Sequence, residues 1–425
     1  MFFFLYNFAW SLVLMLFTPV ILFSRNSRLS ERLGLNLPGN PSGVKRIWVH
    51  ALSVGEVISA VPLVKALKRQ YPSLPVIVTV KTIQGMVVAN KELRDEADAL
   101  IPMPVDFWWS ISRIFHHINP SVLILVEGDI WPGLISYLKK RGVKVFLVNG
   151  RISPRTLRSY RRFRFLVRPM LNKIELCLMQ SEVDRERLIG IGLPLEKIKN
   201  TGNIKFDRPW RAMETEEYNH WQKLLNLRPG EMIWVAGSTH EGEDEIILET
   251  YKRLKGSFPG LFLIIAPRKT ESAGNVYRLC AVKGLEAKMR SRLSVEKGPT
   301  AYEVLILDTI GELERIYGLA GISFVGGSMV PVGGHNLLEP AAFGRPVLFG
   351  KYTHNFLLMS QLLAEEGGGW MIEDSEDLFL KMKTLLSDHE LCAGMGIRAK
   401  EFVLKNSGAL DRVMAQIGGY IERHD

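Results

Sequence analysis

Residues 122–133 read Val122-Leu123-Ile124-Leu125-Val126-Glu127-Gly128-Asp129-Ile130-Trp131-Pro132-Gly133. Five apolar residues run without the polar alternation of a half-solvated strand. That predicts a strand over Val122–Val126 covered on both faces, as in a parallel sheet. Two acids flanking a glycine then form the strand exit, and Pro132 suits the first turn of a helix, with Asp129 or a neighbouring group as its cap. The same pattern recurs outward in both directions. The first half offers strands at Ile47–Ala51, Pro75–Val80, Val143–Val148 and Leu176–Met179. The second offers Met232–Ala236, Leu261–Ala266, Val304–Leu307, Ile322–Val325 and Pro346–Phe349. Helix-length amphipathic stretches separate them, so each half reads as a Rossmann-type layered domain.

The predicted organisation follows from these runs. A first domain spans 44–207, a linker 208–229 carries Pro209 and a polar, charged stretch, and a second domain spans 230–405. Residues 406–425 form a terminal helix expected to pack back on the first domain. A length of 425 residues fits about two domains of ~200 residues each. Ligands of open α/β sheets bind beyond the carboxyl ends of the strands, which predicts a central cleft between the two sheets.

Hydrophobic content of 47% with 23% charged residues is that of a globular chain. Cys177, Cys280 and Cys392 are far apart and contain no CxxC pair, which argues against a disulfide framework or a zinc site. The net charge of +10 implies an anionic partner: a membrane surface, a nucleic acid or a phosphorylated substrate. Residues 1–23 carry no charged side chain, and about 20 such residues span a bilayer as a helix. No basic residue precedes this run, and Arg25, Arg28 and Arg32 follow it. The segment therefore reads as a membrane anchor with the bulk of the protein on the cytoplasmic side, and 24–43 as a basic tether. A buried core helix and a helix lying in the membrane interface are the alternatives.

Several motifs sit at strand exits. His50-Ala51-Leu52-Ser53-Val54-Gly55-Glu56 places a glycine for a tight turn and an acid ahead of a helix over Val57–Gln70. Glu56 is either a first-turn acid favoured by the helix dipole or a general base facing the ligand. Glu127 either belongs to a helix cap or has a functional part, orienting a substrate or supporting the base. Arg151, Arg155, Arg158, Arg161, Arg162, Arg164 and Arg168 alternate with Tyr160, Phe163 and Phe165. This is a solvated basic face or a surface for membrane or phosphate. No compact nucleic-acid recognition motif accompanies the charge, so nucleic acid is not expected as a partner. Thr201-Gly-Asn203-Ile-Lys205-Phe-Asp207 reads as a turn before the linker.

In the second half, Gly237-Ser238-Thr239-His240-Glu-Gly242-Glu243-Asp244-Glu245 follows a strand, with Ser238 or Thr239 placed to cap the next helix and leave an anion-friendly N-terminus. Arg268, in Ala266-Pro267-Arg268-Lys269, is placed to pair with a phosphate or lie along a base. Asp308-Thr309-Ile310-Gly311-Glu312-Leu313 supplies another capped helix start. The richest stretch is Gly326-Gly327-Ser328-Met329-Val330-Pro331-Val332-Gly333-Gly334-His335-Asn336-Leu337-Leu338-Glu339-Pro340. Paired glycines let backbone approach a phosphate, and Glu339 would share a helix face with His335 and Asn336, positioned for ribose hydroxyls.

Taken in order, HALSVGE, VEGDIWP, TGNIKFD, GSTHEGED, APRK, DTIGEL and GGSMVPVGGHNLLEPAAFGRPVLFG resemble the 3-deoxy-D-manno-octulosonic acid (Kdo) transferase family from the apolar N-terminus to near the C-terminal helix. The resemblance implies a GT-B fold, a CMP-Kdo donor, a lipid A precursor as acceptor, and inversion at the anomeric carbon with no bound metal or other cofactor. It implies a bacterial inner membrane of the Gram-negative type as the location. It assigns Glu56 as catalytic base with Ser53 and Gly55 shaping its loop, and Glu127 as the first acid of a Glu-Thr-Glu-x-Trp-Pro segment. Here Gly128 replaces the threonine, and Asp129 is one methylene shorter than the usual glutamate. Gly150 stands where alanine is expected. Ser238, Arg268, Gly311, Glu312, Gly333, Gly334, His335, Asn336 and Glu339 fall on the donor side. Ser53, Gly55, Asp129, Arg151, Arg155 and Arg158 fall on the acceptor side. The rival readings are a UDP-sugar transferase acting on another lipid, and a non-catalytic scaffold that keeps the sugar-nucleotide pocket.

Overall fold

The computed structural model describes residues 27–35, 37, 43–128, 130–207, 210–228, 230–293 and 302–422. The expected anchor over 1–23 lies outside the described residues, as does Asp129. Among the described residues no helix is long and apolar enough to cross a membrane. The chain divides into two compact units. One runs to Arg208 and takes back Asn406–Asp425, and the other is Pro209–Lys405.

The first unit is built on seven strands: β1 Arg46–Ala51, β2 Val76–Val80, β3 Ala99–Pro102, β4 Pro120–Val126, β5 Lys144–Gly150, β6 Leu176–Met179 and β7 Ile198–Asn200. They lie in the order β3-β2-β1-β4-β5-β6-β7, all parallel. Every residue of β1, β2 and β4 is buried, which is why these strands read as near-continuous apolar runs. On one face Ile47, Val49, Ile124 and Phe146 pack with Leu63 and Leu67 of the helix Val54–Gln70 and with Val413 and Ile417 of the helix Ala409–Ile421. On the other, Trp48, Leu123, Leu125 and Leu147 meet Ile111 and Ile114 of Trp108–Ile118 and Leu134 and Leu138 of Pro132–Lys140. The C-terminal helix is pinned to this unit by two polar devices. The Asp207 carboxylate accepts from the amides of Gly408 and Leu410, and Arg412 Nε donates to the Thr201 carbonyl at 2.8 Å.

The second unit repeats the plan with β8 Met232–Thr239, β9 Leu261–Pro267, β10 Ala287–Met289, β11 Val304–Ile306, β12 Ile322–Val325, β13 Val347–Gly350 and β14 Gly369–Ile372. Their order is β10-β11-β9-β8-β12-β13-β14, again parallel throughout. Trp234, Leu263, Ile265 and Phe324 pack with Ile247, Tyr251 and Leu254 of the helix Glu243–Lys255.

Three local expectations change. The 24–43 stretch is not merely a tether, because Ser27–Arg32 is a helix followed by a turn bound to the first unit. Arg32 Nε donates to the Met103 carbonyl at 3.0 Å, and Arg113 Nε to the Gly34 carbonyl at 2.7 Å. The 208–229 stretch contains a helix, Thr215–Leu224, whose Glu217 pairs with Arg315. The helix after β1 starts at Val54 rather than Val57, so Gly55 lies inside its first turn instead of making a tight turn before it.

Candidate functional site

Strand order reverses direction beside β1 in the first unit and beside β8 in the second, and each reversal opens a crevice at the carboxyl ends of two strands. In the first unit these are β1 and β4. Ser53 is the N-cap of the helix Val54–Gln70, with extended backbone and no side-chain capping bond. The cap falls instead to Glu56 in the first turn, whose Oε2 accepts from the Leu52 amide at 2.6 Å. Glu56 is buried. Gly55 beside it is exposed, and a Cβ there would meet nothing within 4 Å. This leaves open ground next to an oriented carboxylate, the layout a general base requires. His50 of the same motif is a core residue, with Nδ1 against Thr79 Oγ1 at 2.9 Å inside the sheet.

Glu127 leaves β4 in the left-handed region, at φ 65°. Its backbone bridges to the β5 exit, donating to the Val148 carbonyl and accepting from the Arg151 amide, both at 2.9 Å. Its Oε1 accepts from Ser59 Oγ and pairs with Lys205 Nζ, each at 2.8 Å, and the single Ser59 hydroxyl hydrogen is shared with the Gly55 carbonyl at 3.0 Å. Burial opposes ionisation of Glu127, but the Lys205 ammonium, the Ser59 hydroxyl and Arg151 outweigh it and hold the carboxyl below its usual value. One network therefore joins the Glu56 helix to Glu127 and to Lys205. Lys205 in turn is positioned by buried Asn149, whose Oδ1 accepts the Ile204 amide at 3.1 Å. The 201–207 segment is thus more than a turn before a linker. At Gly150, an added Cβ would lie 2.6 Å from Met179 Sδ, so glycine here is matched to a neighbouring methionine.

The helix Pro132–Lys140 has Pro132 in its first turn, but its cap comes from elsewhere. Buried Asp106 accepts from the Gly133 amide at 2.9 Å and the Leu134 amide at 2.7 Å. Sequence alone cannot show a cap that arrives from 27 and 28 residues away.

In the second unit the crevice lies between the exits of β8 and β12. Gly326 lets the two exits touch: a Cβ there would be 2.5 Å from the Ser238 carbonyl oxygen and 2.7 Å from Thr239 Cα. Ser238 itself has φ 56°. Neither Ser238 nor Thr239 caps the next helix. Its N-cap is Gly242, whose amide donates to Glu245 at 3.1 Å. Glu243 turns the other way. Fully buried, its carboxylate accepts four amides: Gly327 at 2.7 Å, Met329 at 2.8 Å, Ser328 at 2.9 Å and His240 at 3.0 Å. This one side chain organises the glycine-rich loop.

The loop then brings His335 against His240, with Nε2–Nε2 at 2.8 Å and rings parallel to within 5°. Burial, the Arg268 charge and His240 together push His335 down to about 4. Burial also lowers His240, helped by Arg268 and Lys269 and opposed by Glu243. Arg268 is exposed at the β9 exit, its amide bonded to the Thr239 carbonyl at 2.9 Å. Gly333 sits at φ 109° and is closed over by His354 and Asn355, and the Gly333 and Gly334 amides both donate to the Gly327 carbonyl. His335 and Asn336 do not open the following helix, which is Leu338–Ala342. Asn336 precedes it, accepting from the Leu338 amide and donating to Glu339 Oε1, both at 3.2 Å. The 308–312 segment is not a side-chain-capped helix start. Gly311 takes φ 93°, Asp308 accepts from the Ser291 amide at 2.8 Å, and Glu312 accepts from Thr309 and pairs with Arg290.

The arginine cluster forms two short helices, Pro154–Arg162 and Arg164–Leu171. Arg151, Arg155, Arg158, Arg161, Arg162, Arg164 and Arg168 are all exposed, and so are Phe163 and Phe165. Arg162, Arg164, Phe165, Arg168 and Pro169 line a surface concavity of about 510 Å³. Among the described residues, no group of three or more His, Cys, Asp or Glu side chains is arranged to hold a metal.

Lys205, His240 and Glu243 are among the residues of this geometry that carry no role in the sequence reading. Each lies inside a recognised motif, but its importance depends on a distant partner. Glu243 meets Gly327 84 positions on, His240 meets His335 95 positions on, and Lys205 reaches back to Glu127.

Residues 27–208 match the family described as 3-deoxy-D-manno-octulosonic-acid transferase (kdotransferase). The chain is 34% identical to the 3-deoxy-D-manno-octulosonic acid transferase of Haemophilus influenzae over 399 residues, which cover 93% of this chain and 92% of that protein. It is 31% identical to the enzyme of the same name from Aquifex aeolicus over 341 residues, 80% of this chain and 86% of that one. A glycosyltransferase from Rickettsia africae superposes with a TM-score of 0.60 over 89% of this chain and 98% of its own, at 13% identity, a likeness of fold alone. With this relationship running nearly end to end across two Rossmann-like units, the chain belongs to the 3-deoxy-D-manno-octulosonic acid transferase family of glycosyltransferases.

Proposed function

We propose that this protein transfers Kdo from CMP-Kdo to a glucosamine hydroxyl of a lipid A precursor, with inversion. The observation that carries the reading is the relationship to the Haemophilus influenzae transferase over almost the whole of both chains. The geometry supplies matching parts. Glu56, oriented by the Leu52 amide beside open backbone at Gly55, takes the proton of the attacking hydroxyl. Glu127, held ionised by Lys205, fixes that carboxylate's surroundings and orients the acceptor, a task in which the family resemblance also enlists Ser53 and Asp129. On the second unit, Arg268, Ser238 and the glycine loop receive the donor phosphate, and Glu339 with Asn336 receives the ribose. As the bond from the anomeric carbon to the phosphate oxygen breaks, its electron pair stays on that oxygen, and Arg268 and the oriented loop stabilise the charge.

Arg151, Arg155 and Arg158, with the concavity at Arg162, Arg164 and Arg168, serve the acceptor phosphates and an anionic membrane surface. We place the protein at the cytoplasmic face of an inner membrane, anchored by residues 1–23. The test offers the purified chain CMP-Kdo and UDP-sugars in separate single-turnover reactions. Transfer from CMP-Kdo alone supports the reading; transfer from a UDP-sugar, with CMP-Kdo inert, overturns it. Nucleotide binding without any transfer leaves the scaffold reading in its place.

A further inference from the structure

We propose that His240 and His335 form a proton-accepting pair that takes up one proton as the donor's phosphate docks beside Arg268, so that a cation accompanies the leaving group. This rests on the reading of the second unit as the donor site.

The geometry sets the rule. At 2.8 Å, one Nε2 must donate and the other accept. A neutral pair therefore has opposite tautomers: one ring carries its proton on Nε2, the other on Nδ1. A proton added to the free Nδ1 of the donating ring makes it an imidazolium and keeps the Nε2–H···Nε2 bond. A second added proton would face N–H against N–H and break the contact. The pair thus holds one extra proton and no more.

The surroundings keep that proton off at rest. Arg268 and Lys269 act from the β9 exit, and Glu243, from the helix Glu243–Lys255, is the opposing charge. That carboxylate is already engaged by four amides. His354 stands on the segment that closes over Gly333. Gly327 lies against both rings: a Cβ there would lie 3.0 Å from His335 Nε2 and 3.4 Å from His240 Cδ2, so the pair leaves room for glycine only. Burial and Arg268 hold His335 down at about 4 and keep His240 below its ordinary value. A phosphate arriving at Arg268 cancels the charge that repels the proton and adds attraction of its own. In the transfer step the phosphate gains a further negative charge as the carbon–oxygen bond breaks. The imidazolium is then in place to offset it, and no proton need move during that step.

The experiment is calorimetric titration of the full-length protein with CMP at pH 7.5, in buffers of differing ionisation enthalpy. CMP is almost wholly dianionic there, since a phosphate monoester has its second pKa near 6. The expected result is uptake of about half to one proton per complex, with CMP binding ~3- to 10-fold tighter per pH unit lowered between pH 8.5 and 7. His240→Gln and His335→Gln are each expected to bring the count close to zero in a CMP complex that forms with weaker affinity than that of wild type. Zero uptake by the wild-type protein overturns the proposal whatever the variants do, and so does a count unchanged in both folded variants. Histidine ¹H–¹³C spectra of the wild-type protein test the same point without substitution: CMP addition brings one proton's worth of imidazolium shift to the pair, on one histidine signal or divided between two, or no signal moves and the proposal fails. Failure of the wild-type protein to bind CMP at all would instead remove the donor reading beneath it.

Discussion

Replacing Glu243 removes the acceptor for four amides at once, those of His240, Gly327, Ser328 and Met329, around a carboxylate that is fully buried. A buried donor left unsatisfied costs about 1–3 kcal/mol. The bonds from Gly327 and Ser328 are fully buried and those from His240 and Met329 part-buried, and two effects reduce the total further. The loop relaxes to admit water, and the cost of burying the carboxylate's charge disappears with it. For Glu243→Ala we expect a net loss of ~3–5 kcal/mol. Glu243→Gln keeps the shape, but its single carbonyl oxygen serves two amides and its NH₂ group faces the others, for a loss of ~2 kcal/mol. The assay is guanidinium unfolding of the full chain with hydrogen exchange read at residues 326–334. Both variants should exchange the 327–329 amides much faster than wild type and bind CMP weakly. Unfolding within ~0.5 kcal/mol of wild type, with those amides still protected, would refute the claim that this carboxylate organises the loop.

Lys205→Met leaves Glu127 facing Ser59 without its cation. The cost is about 2–3 kcal/mol, below the range for a fully buried pair because the Lys205 side chain keeps 25% of its exposure. Glu127 has a depressed pKa, so its stabilising contribution is present above the unfolded carboxyl value of about 4.3 and is lost as pH falls through the folded value beneath it. The variant loses that contribution, and its acid-unfolding midpoint moves to higher pH. Substituting Arg162 and Arg168 together by Gln should weaken binding to anionic vesicles by ~10- to 30-fold at low salt, and leave binding to neutral vesicles unchanged. Burial pushes the Cys177 and Cys280 thiols up to about 12 and raises Cys392 as well. All three should resist a thiol reagent at pH 8 in the native protein and react together once it is unfolded.

The central strands were legible because burial on both faces leaves them few polar positions. β4, β8 and β9 each contain five or more consecutive apolar residues. The outer strands were not. β10 is three half-buried residues around Lys288, and β7 exposes Lys199 and Asn200, so neither run carries a periodic signal. The Thr215–Leu224 helix buries no residue fully and so looks like linker. In the site, the motif acids and glycines stood out as residue types, but their partners did not. Glu243 reads as an ordinary first-turn acid until the fold carries residues 327–329 to it. Asn149 and Lys205 acquire their meaning only when β5 and the 201–207 segment lie side by side. Residue type announces chemistry, whereas long-range partners decide which atom performs it.

Transfer itself is the most direct test of the central claim. Purified full-length protein is incubated with CMP-Kdo and a tetra-acylated, bis-phosphorylated lipid A precursor, and the lipid is read by mass spectrometry, for wild type and for Glu56→Gln. Wild type is expected to add one or more Kdo units, and Glu56→Gln to lose at least ~100-fold in rate with CMP binding retained. A folded wild-type protein that adds no Kdo, or a Glu56→Gln variant that turns over within a few-fold of wild type, would contradict it.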